Sequence, residues 1–378
     1  MPLQVVSPIS QGLVYLTFNQ DSTCIAIADA RGIKIYSLDS RKIVYSCELG
    51  AISLAEMLFS TSLMAYVGSG EQPLLTPRKL ALMNTATQSS IQETSYTATI
   101  LAVRLNRKRL VAVVDKFMYV HALETMELLR TIDIAQNLQG LCALTSAADP
   151  NLLAVPAAPD SGVIRVFDLL KEGGNVLCEL KAHKSSLAAL AWNHNSTMLA
   201  SASCKGTVVR VHCLPQASKA FTFRRGTTPA MIHSLAFSGP GIEPALLCAC
   251  SAHGTVHIFS LETADRHPAA VAASGLLAAV MPSSVGDLME PARCIATVRL
   301  PCQGIPCMCT FAPCPPTTAS TSMNGSLSSD GEDWGRPRVR LVAVTGAGML
   351  HMYQVQNLWG PGKISCHMEG ETDLLQER

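Results

Sequence analysis

The chain has 378 residues, and at about 150 residues per domain that length alone suggests two or three units. Apolar residues make up 48% and charged residues only 15%, which excludes a disordered chain, because such chains are charged and poor in apolar side chains. A formal net charge of +1 gives no global attraction to nucleic acid or membrane, so any anion site must be local.

Met1–Leu16 has no basic segment followed by a long apolar run, so no secretory leader is expected. The 14 scattered cysteines then read as mostly buried thiols in a reducing, cytoplasmic setting. The longest charge-free apolar stretch, Ala269–Pro282, is well short of the ~20 residues of a spanning helix.

Along the chain one phrase recurs: a β-rich apolar run, a small or polar turn usually containing Gly, then an alternating strand ending near Tyr, Phe or His. It begins at Cys24, Leu63, Leu110, Leu152, Met198, Leu246 and Leu341, with spacings of 39, 47, 42, 46, 48 and 95 residues. A period of about 40–45 residues with paired strands is the mark of four-stranded propeller blades. Alternation such as Val209 and Val211 against Arg210 and His212 fits a hairpin rather than a helix. The expected fold is therefore all-β: a seven-bladed β-propeller with four antiparallel strands per blade, one domain over 1–378. A β-sandwich would not keep so regular a period.

The 95-residue gap implies one period enlarged by insertions. After His257–Leu261 the next expected strand is Ile295–Leu300, so residues 262–293 form a long loop of blade six. Residues 312–337 are rich in Pro, Ser, Thr and Gly and read as a low-complexity insertion. Residues 357–378 read as a C-terminal tail.

No catalytic set stands out: Gly-x-Ser-x-Gly, His-Glu-x-x-His and a phosphate-cradling Gly-rich loop are all missing. Cys302, Cys307, Cys309 and Cys314 invite a zinc reading. Their spacing is not the usual C-x2-C knuckle, and buried strand thiols are the preferred account. The sequence thus calls for no metal and no cofactor.

The informative segment is Ala220–Ser238, with Phe223-Arg224-Arg225-Gly226 at the end of an expected strand. Adjacent residues of a strand point to opposite faces, so the two arginines serve two pockets, one on each side of a blade edge. His183, Ser201, Ser203, Thr207 and Arg210 precede the motif; Ser251, Thr255 and His257 follow it. Arginine with hydroxyls and histidine suits a phosphate ester, because the guanidinium gives a forked, charge-assisted pair to its oxygens. The plainer account is that paired arginines solvate a rim while Ser and Thr close tight turns.

Phe223-Arg224-Arg225-Gly226 followed by Ile232-His233-Ser234-Leu235-Ala236-Phe237-Ser238 resembles the PROPPIN family, whose animal members are the WIPI proteins. So do the run from Ser201 to Val211, Thr255–Phe259, Phe18-Asn19-Gln20-Asp21, Leu105-Asn106-Arg107, Gly140–Leu144 and Ala296–Pro301. The similarity extends over about residues 11–356.

That resemblance implies a monomeric, non-enzymatic seven-bladed propeller that binds phosphatidylinositol 3-phosphate, and also the 3,5-bisphosphate, through two rim sites. The first site would use His183, Ser203, Thr207 and Arg224, with Ser201 and Arg210 nearby. The second would use Arg225, Gly226, Ser251, Thr255 and His257. The blade-six loop would insert into the bilayer through Leu276, Leu277, Val280, Met281, Leu288 and Met289, although it lacks the aromatic residues of many relatives.

Two basic clusters, Pro77-Arg78-Lys79 and Asn106-Arg107-Lys108-Arg109, fall in blades two and three. The family docks its lipid-transfer bridge protein at blade two and, in some members, the conjugation-machinery scaffold at blades two and three. Pro77, Arg78, Arg107 and Arg109 are the docking candidates. The implied setting is the cytoplasm, peripheral on preautophagosomal and endosomal membranes, with no nucleic-acid partner. Competing readings are a WD-repeat scaffold that binds only proteins and an endosomal sorting or fission adaptor.

Overall fold

The computed structural model describes residues 3–6, 13–171, 176–261, 291–314, 338–358 and 364–376. Among the described residues, thirty strands form seven sheets arranged as blades in a ring. Blade one holds β2 (Leu13–Phe18), β3 (Cys24–Ala28), β4 (Gly32–Ser37) and β5 (Lys42–Glu48), with β1 (Leu3–Val6) added beside β2. Blade two is β6 (Ile52–Met57), β7 (Leu63–Gly68), β8 (Lys79–Asn84) and β9 (Ser89–Ser95). Blade three is β10 (Ala102–Leu105), β11 (Arg109–Val113), β12 (Phe117–Ala122) and β13 (Leu128–Asp133). Blade four is β14 (Ala143–Leu144), β15 (Leu152–Pro156), β16 (Gly162–Asp168) and β17 (Val176–His183).

Blade five is β18 (Leu187–Trp192), β19 (Met198–Ser203), β20 (Val208–Cys213) and β21 (Ser218–Arg224). Blade six is β22 (Ile232–Phe237), β23 (Leu246–Ser251) and β24 (Thr255–Ser260), completed by β26 (Ala296–Arg299). Between β24 and β26 the short β25 (Ala292–Arg293) joins the outer edge of blade five. Blade seven is β27 (Cys307–Pro313), β28 (Val339–Thr345), β29 (Met349–Gln356) and β30 (Ser365–Asp373).

Burial explains the low charge content. Second strands are covered on both faces: β23 and β28 are buried at every residue. Fourth strands form the outer edge, and β5 and β9 are mostly exposed. In blades one, three and five the tight turn between first and second strands rests on asparagine. Asn19 Oδ1 accepts from Thr23 N at 2.9 Å and Cys24 N at 3.0 Å, and Asn193 Oδ1 accepts from Met198 N at 2.9 Å. This side chain mimics a backbone turn and frees the strand end to reverse.

The first strands of three blades are tied by buried charge. Tyr15 Oη donates to Glu56 Oε1 at 2.5 Å, and Arg104 Nη1 donates to the same oxygen at 2.8 Å. Burial pushes the Glu56 carboxyl up, while Arg104 opposes that shift.

Apart from β25, each blade is built from its own stretch of chain, and among the described residues no strand from one end of the chain completes the blade at the other end. Side chains close the ring instead. Leu16, Ile25 and Leu38 of blade one pack with Met308, Val342 and Leu350 of blade seven. Across the same seam Glu369 Oε2 accepts from Arg41 Nη2 at 3.0 Å, and within blade seven it accepts from Arg340 Nε at 2.9 Å.

Three boundaries differ from the sequence reading. Residues 357–378 are not merely a tail, because β30 supplies the outer strand of blade seven, with Met349 opposite Asp373 and Gln356 opposite Ser365. The low-complexity insertion does not start at Ala312, which pairs with Arg340 inside β27; residues 315–337 lie outside the described residues. The blade-six loop ends on β25, while Leu276, Leu277, Val280, Met281, Leu288 and Met289 lie outside the described residues.

Candidate functional site

Strand alternation decides where the paired arginines go. Ser201 pairs with Arg210, Arg210 with Thr222 and Val208 with Arg224, which puts Ser201, Arg210 and Arg224 on one face of blade five. That face is turned to blade four, because His183 Nε2 lies 3.0 Å from Ser201 Oγ. Phe223 occupies the opposite face, stacked on Phe259 of blade six at a ring-centroid distance of 4.8 Å.

Arg224 is exposed, whereas Arg225 is buried. Beyond the strand end, Arg225 Nε donates to Gly206 O at 2.8 Å, and its Nη2 donates to Thr228 O. Its backbone N donates to Thr207 O at 2.9 Å. These bonds pin the second guanidinium beyond the end of β21.

The first cluster is short of partners. Ser201 Oγ donates to Arg210 O at 3.4 Å, and Arg210 Nη1 donates to Ala182 O. Arg210 Nε is buried without a hydrogen-bond partner among the described residues. Burial, with the Arg210 charge added, pushes His183 from its ordinary 6.5 to about 4, so the ring is neutral at physiological pH. Ser203 and Thr207 flank the turn in which Gly206 takes φ +58°.

In the second cluster Ser251 Oγ lies 2.8 Å from Thr255 Oγ1, which lies 3.2 Å from His257 Nε2. Burial, then Arg225, lowers His257 to about 4. A Cβ on Gly226 would meet nothing within 4 Å, so open space adjoins Arg225.

The structure brings the two residue sets together as separate clusters at the same end of blades four to six. It also adds residues the sequence reading passed over. Thr297 Oγ1 lies 3.3 Å from His257 Nδ1, and Arg299 stands opposite Thr255 in the ladder. Their i, i+2 spacing in Ala296–Pro301 was the available signal. Arg293 stands opposite Arg224, a pairing that nothing in the local sequence announces.

The docking candidates separate. Pro77 and Arg78 lie between β7 and β8, at the end that carries both clusters, where their carbonyls accept from Ile100 N at 2.9 Å and Tyr96 N at 2.8 Å. Arg107 and Arg109 lie at the opposite end, with Arg107 Cζ 4.6 Å from the centre of the Phe59 ring and Arg109 Nε donating to Leu169 O at 3.2 Å. Cys302, Cys307 and Cys309 are buried between blades six and seven, where Cys307 Sγ lies 2.6 Å from Cys250 Sγ.

Fold and site together define a seven-bladed propeller that carries two separate clusters of guanidinium, hydroxyl and imidazole groups. The sequence profile of the PROPPIN family matches residues 12–326. The chain is 36% identical over 327 residues to Autophagy-related protein 18 of Dictyostelium discoideum, covering 81% of this chain and 86% of that protein. Hsv2 of Kluyveromyces lactis superposes with a TM-score of 0.71 at 18% identity, over 95% of this chain and 98% of that one. KlAtg21, solved in complex with the coiled coil of AgAtg16, superposes with a TM-score of 0.68 at 23% identity, over 95% of this chain and 98% of that one.

The chain belongs to the PROPPIN family of autophagy-related β-propellers, which is not a class of enzymes. Among the described residues, no helix is long and apolar enough to cross a membrane.

Proposed function

We propose that this protein is a phosphoinositide effector of autophagy. Its two clefts take the headgroup of phosphatidylinositol 3-phosphate, or of the 3,5-bisphosphate, on nascent autophagic and endosomal membranes. His183, Ser201, Ser203, Thr207, Arg210 and Arg224 form the first site; Arg225, Gly226, Ser251, Thr255 and His257 form the second. The observation that supports this reading is the division of two consecutive arginines between two side-chain clusters, each with hydroxyls and a neutral imidazole. Solvating one rim would need no such division.

Two weak headgroup contacts on one surface reinforce each other through effective concentration. The loop of residues 262–293 would add an apolar anchor lying in the bilayer interface. Docked there, the monomer would recruit autophagy machinery. The complex of KlAtg21 with the coiled coil of AgAtg16 supports a coiled-coil partner from the conjugation machinery, which we assign to the Arg107 and Arg109 end. We assign the lipid-transfer bridge protein to Pro77 and Arg78.

Flotation with vesicles tests the reading. The protein should float with vesicles containing phosphatidylinositol 3-phosphate and stay behind with vesicles lacking it. Equal flotation on both would leave a protein-binding scaffold as the better account.

A further inference from the structure

Two arginines from distant parts of the chain stand side by side on the outer edge of blade five. β25 runs parallel to β21, with Ala292 opposite Phe223 and Arg293 opposite Arg224. Neighbouring strands lie about 4.8 Å apart, and partners in a ladder project from the same face. The Arg293 side chain therefore joins Arg224 on the face of Arg210 and Ser201, turned to blade four. Both are exposed.

Like charges directly opposite in a sheet destabilise it. Neither arginine takes part in the ion pairs found among the described residues. An anion between them would reverse the sign of that contact. One phosphate satisfies one guanidinium fork. Two forks a strand spacing apart, with Arg210 Nε behind them, match a ring that carries two phosphomonoesters better than a ring that carries one.

We propose that Arg293 is the second guanidinium of the first site and gives it a preference for inositol rings bearing two phosphomonoesters. This rests on the phosphoinositide reading above and deepens it. The route of the chain adds a consequence. It leaves blade six after Leu261 and returns through β25, so the end of the 262–293 segment is hydrogen-bonded to the strand that carries Arg224.

The test uses full-length protein, titrated by calorimetry with glycerophosphoinositol 3-phosphate and glycerophosphoinositol 3,5-bisphosphate, in which position 1 stays a phosphodiester as in the lipid. A parallel arm uses vesicles containing phosphatidylinositol 3-phosphate or the 3,5-bisphosphate, which separates lipid from free headgroup. Arg293→Gln should weaken the 3,5-bisphosphate about tenfold and the 3-phosphate no more than about twofold, on the scale of one charge-assisted fork. Arg224→Gln should weaken both, and Arg293→Lys should restore part of the loss.

Equal weakening of both compounds by Arg293→Gln, or no change in either, overturns the proposal and leaves the phosphoinositide reading standing. A selectivity seen on vesicles but absent with soluble headgroups also overturns it. Wild-type protein that binds neither the compounds nor the vesicles overturns both readings.

Discussion

Arg224 and Arg225 are neighbours in sequence and opposites in surroundings: the first is exposed, while the second is 9% exposed with its Nε on Gly206 O. Their substitution should therefore separate binding from stability. Arg224→Gln should lower headgroup affinity on the order of tenfold and leave the urea midpoint unchanged. Arg225→Gln should lower affinity and also cost about 2 kcal/mol, because bonds from a charged donor to two loop carbonyls are lost. Denaturation of both variants checks this; equal stability would mean that the Arg225 contacts are dispensable.

Gly206 and Gly226 make a second contrasting pair. At Gly206, φ is +58° and a Cβ would come 1.8 Å from Ala230 O, whereas at Gly226 a Cβ would meet nothing within 4 Å. Gly206→Ala should destabilise by at least about 2 kcal/mol, since both strain and collision oppose it. Gly226→Ala should change stability by no more than about 0.5 kcal/mol. Its effect should appear in headgroup binding, where the added methyl narrows the approach to Arg225.

The two site histidines set a pH window. His183 and His257 are held near 4 in the fold against an ordinary 6.5, so between those values the unfolded chain binds protons that the fold does not. Their contribution to stability is full above pH 6.5 and is lost as pH falls toward 4. Denaturation between pH 7.5 and about 4.5 should show a falling midpoint, and the double variant His183→Gln/His257→Gln should reduce that slope, leaving the part due to His212, which burial also lowers to about 4. An unchanged slope would place the proton uptake elsewhere.

At the ring seam, Arg340 is 6% exposed and depends on Glu369, whereas the Lys79–Glu93 pair sits in solvent on blade two. Glu369→Gln strands a buried guanidinium and should cost about 3 kcal/mol. Glu93→Gln should cost less than about 1 kcal/mol. Urea midpoints of the two variants, compared with wild type, read the difference directly.

The blade count, the ring and the opposed arginines were legible because each rests on a local rule. A blade repeats its burial pattern every 40 to 50 residues, and strand alternation separates Arg224 from Arg225 without reference to the rest of the chain. What escaped depends on partners far away. β30 is half-exposed and lacks the apolar echo, so only its pairing with β29 reveals it as a strand. β25 has two residues and no pattern of its own; its register with β21 places Arg293. The motifs from Phe18 and Leu105 turned out to be turn-makers, with Asn19 Oδ1 and Asn106 Oδ1 accepting from the backbone that follows.

A propeller that draws each blade from its own stretch of chain, β25 apart, can all but finish one blade before the next is synthesised. Its last folding event is then the meeting of blade seven with blade one, made by side chains such as Leu16 and Val342 and by the Arg41–Glu369 pair. The same joint is the place where the ring springs open first, in the manner of a split washer. Amide hydrogens of β2 and β28 should exchange through that opening ahead of those in β15 and β19 on the far side of the circle.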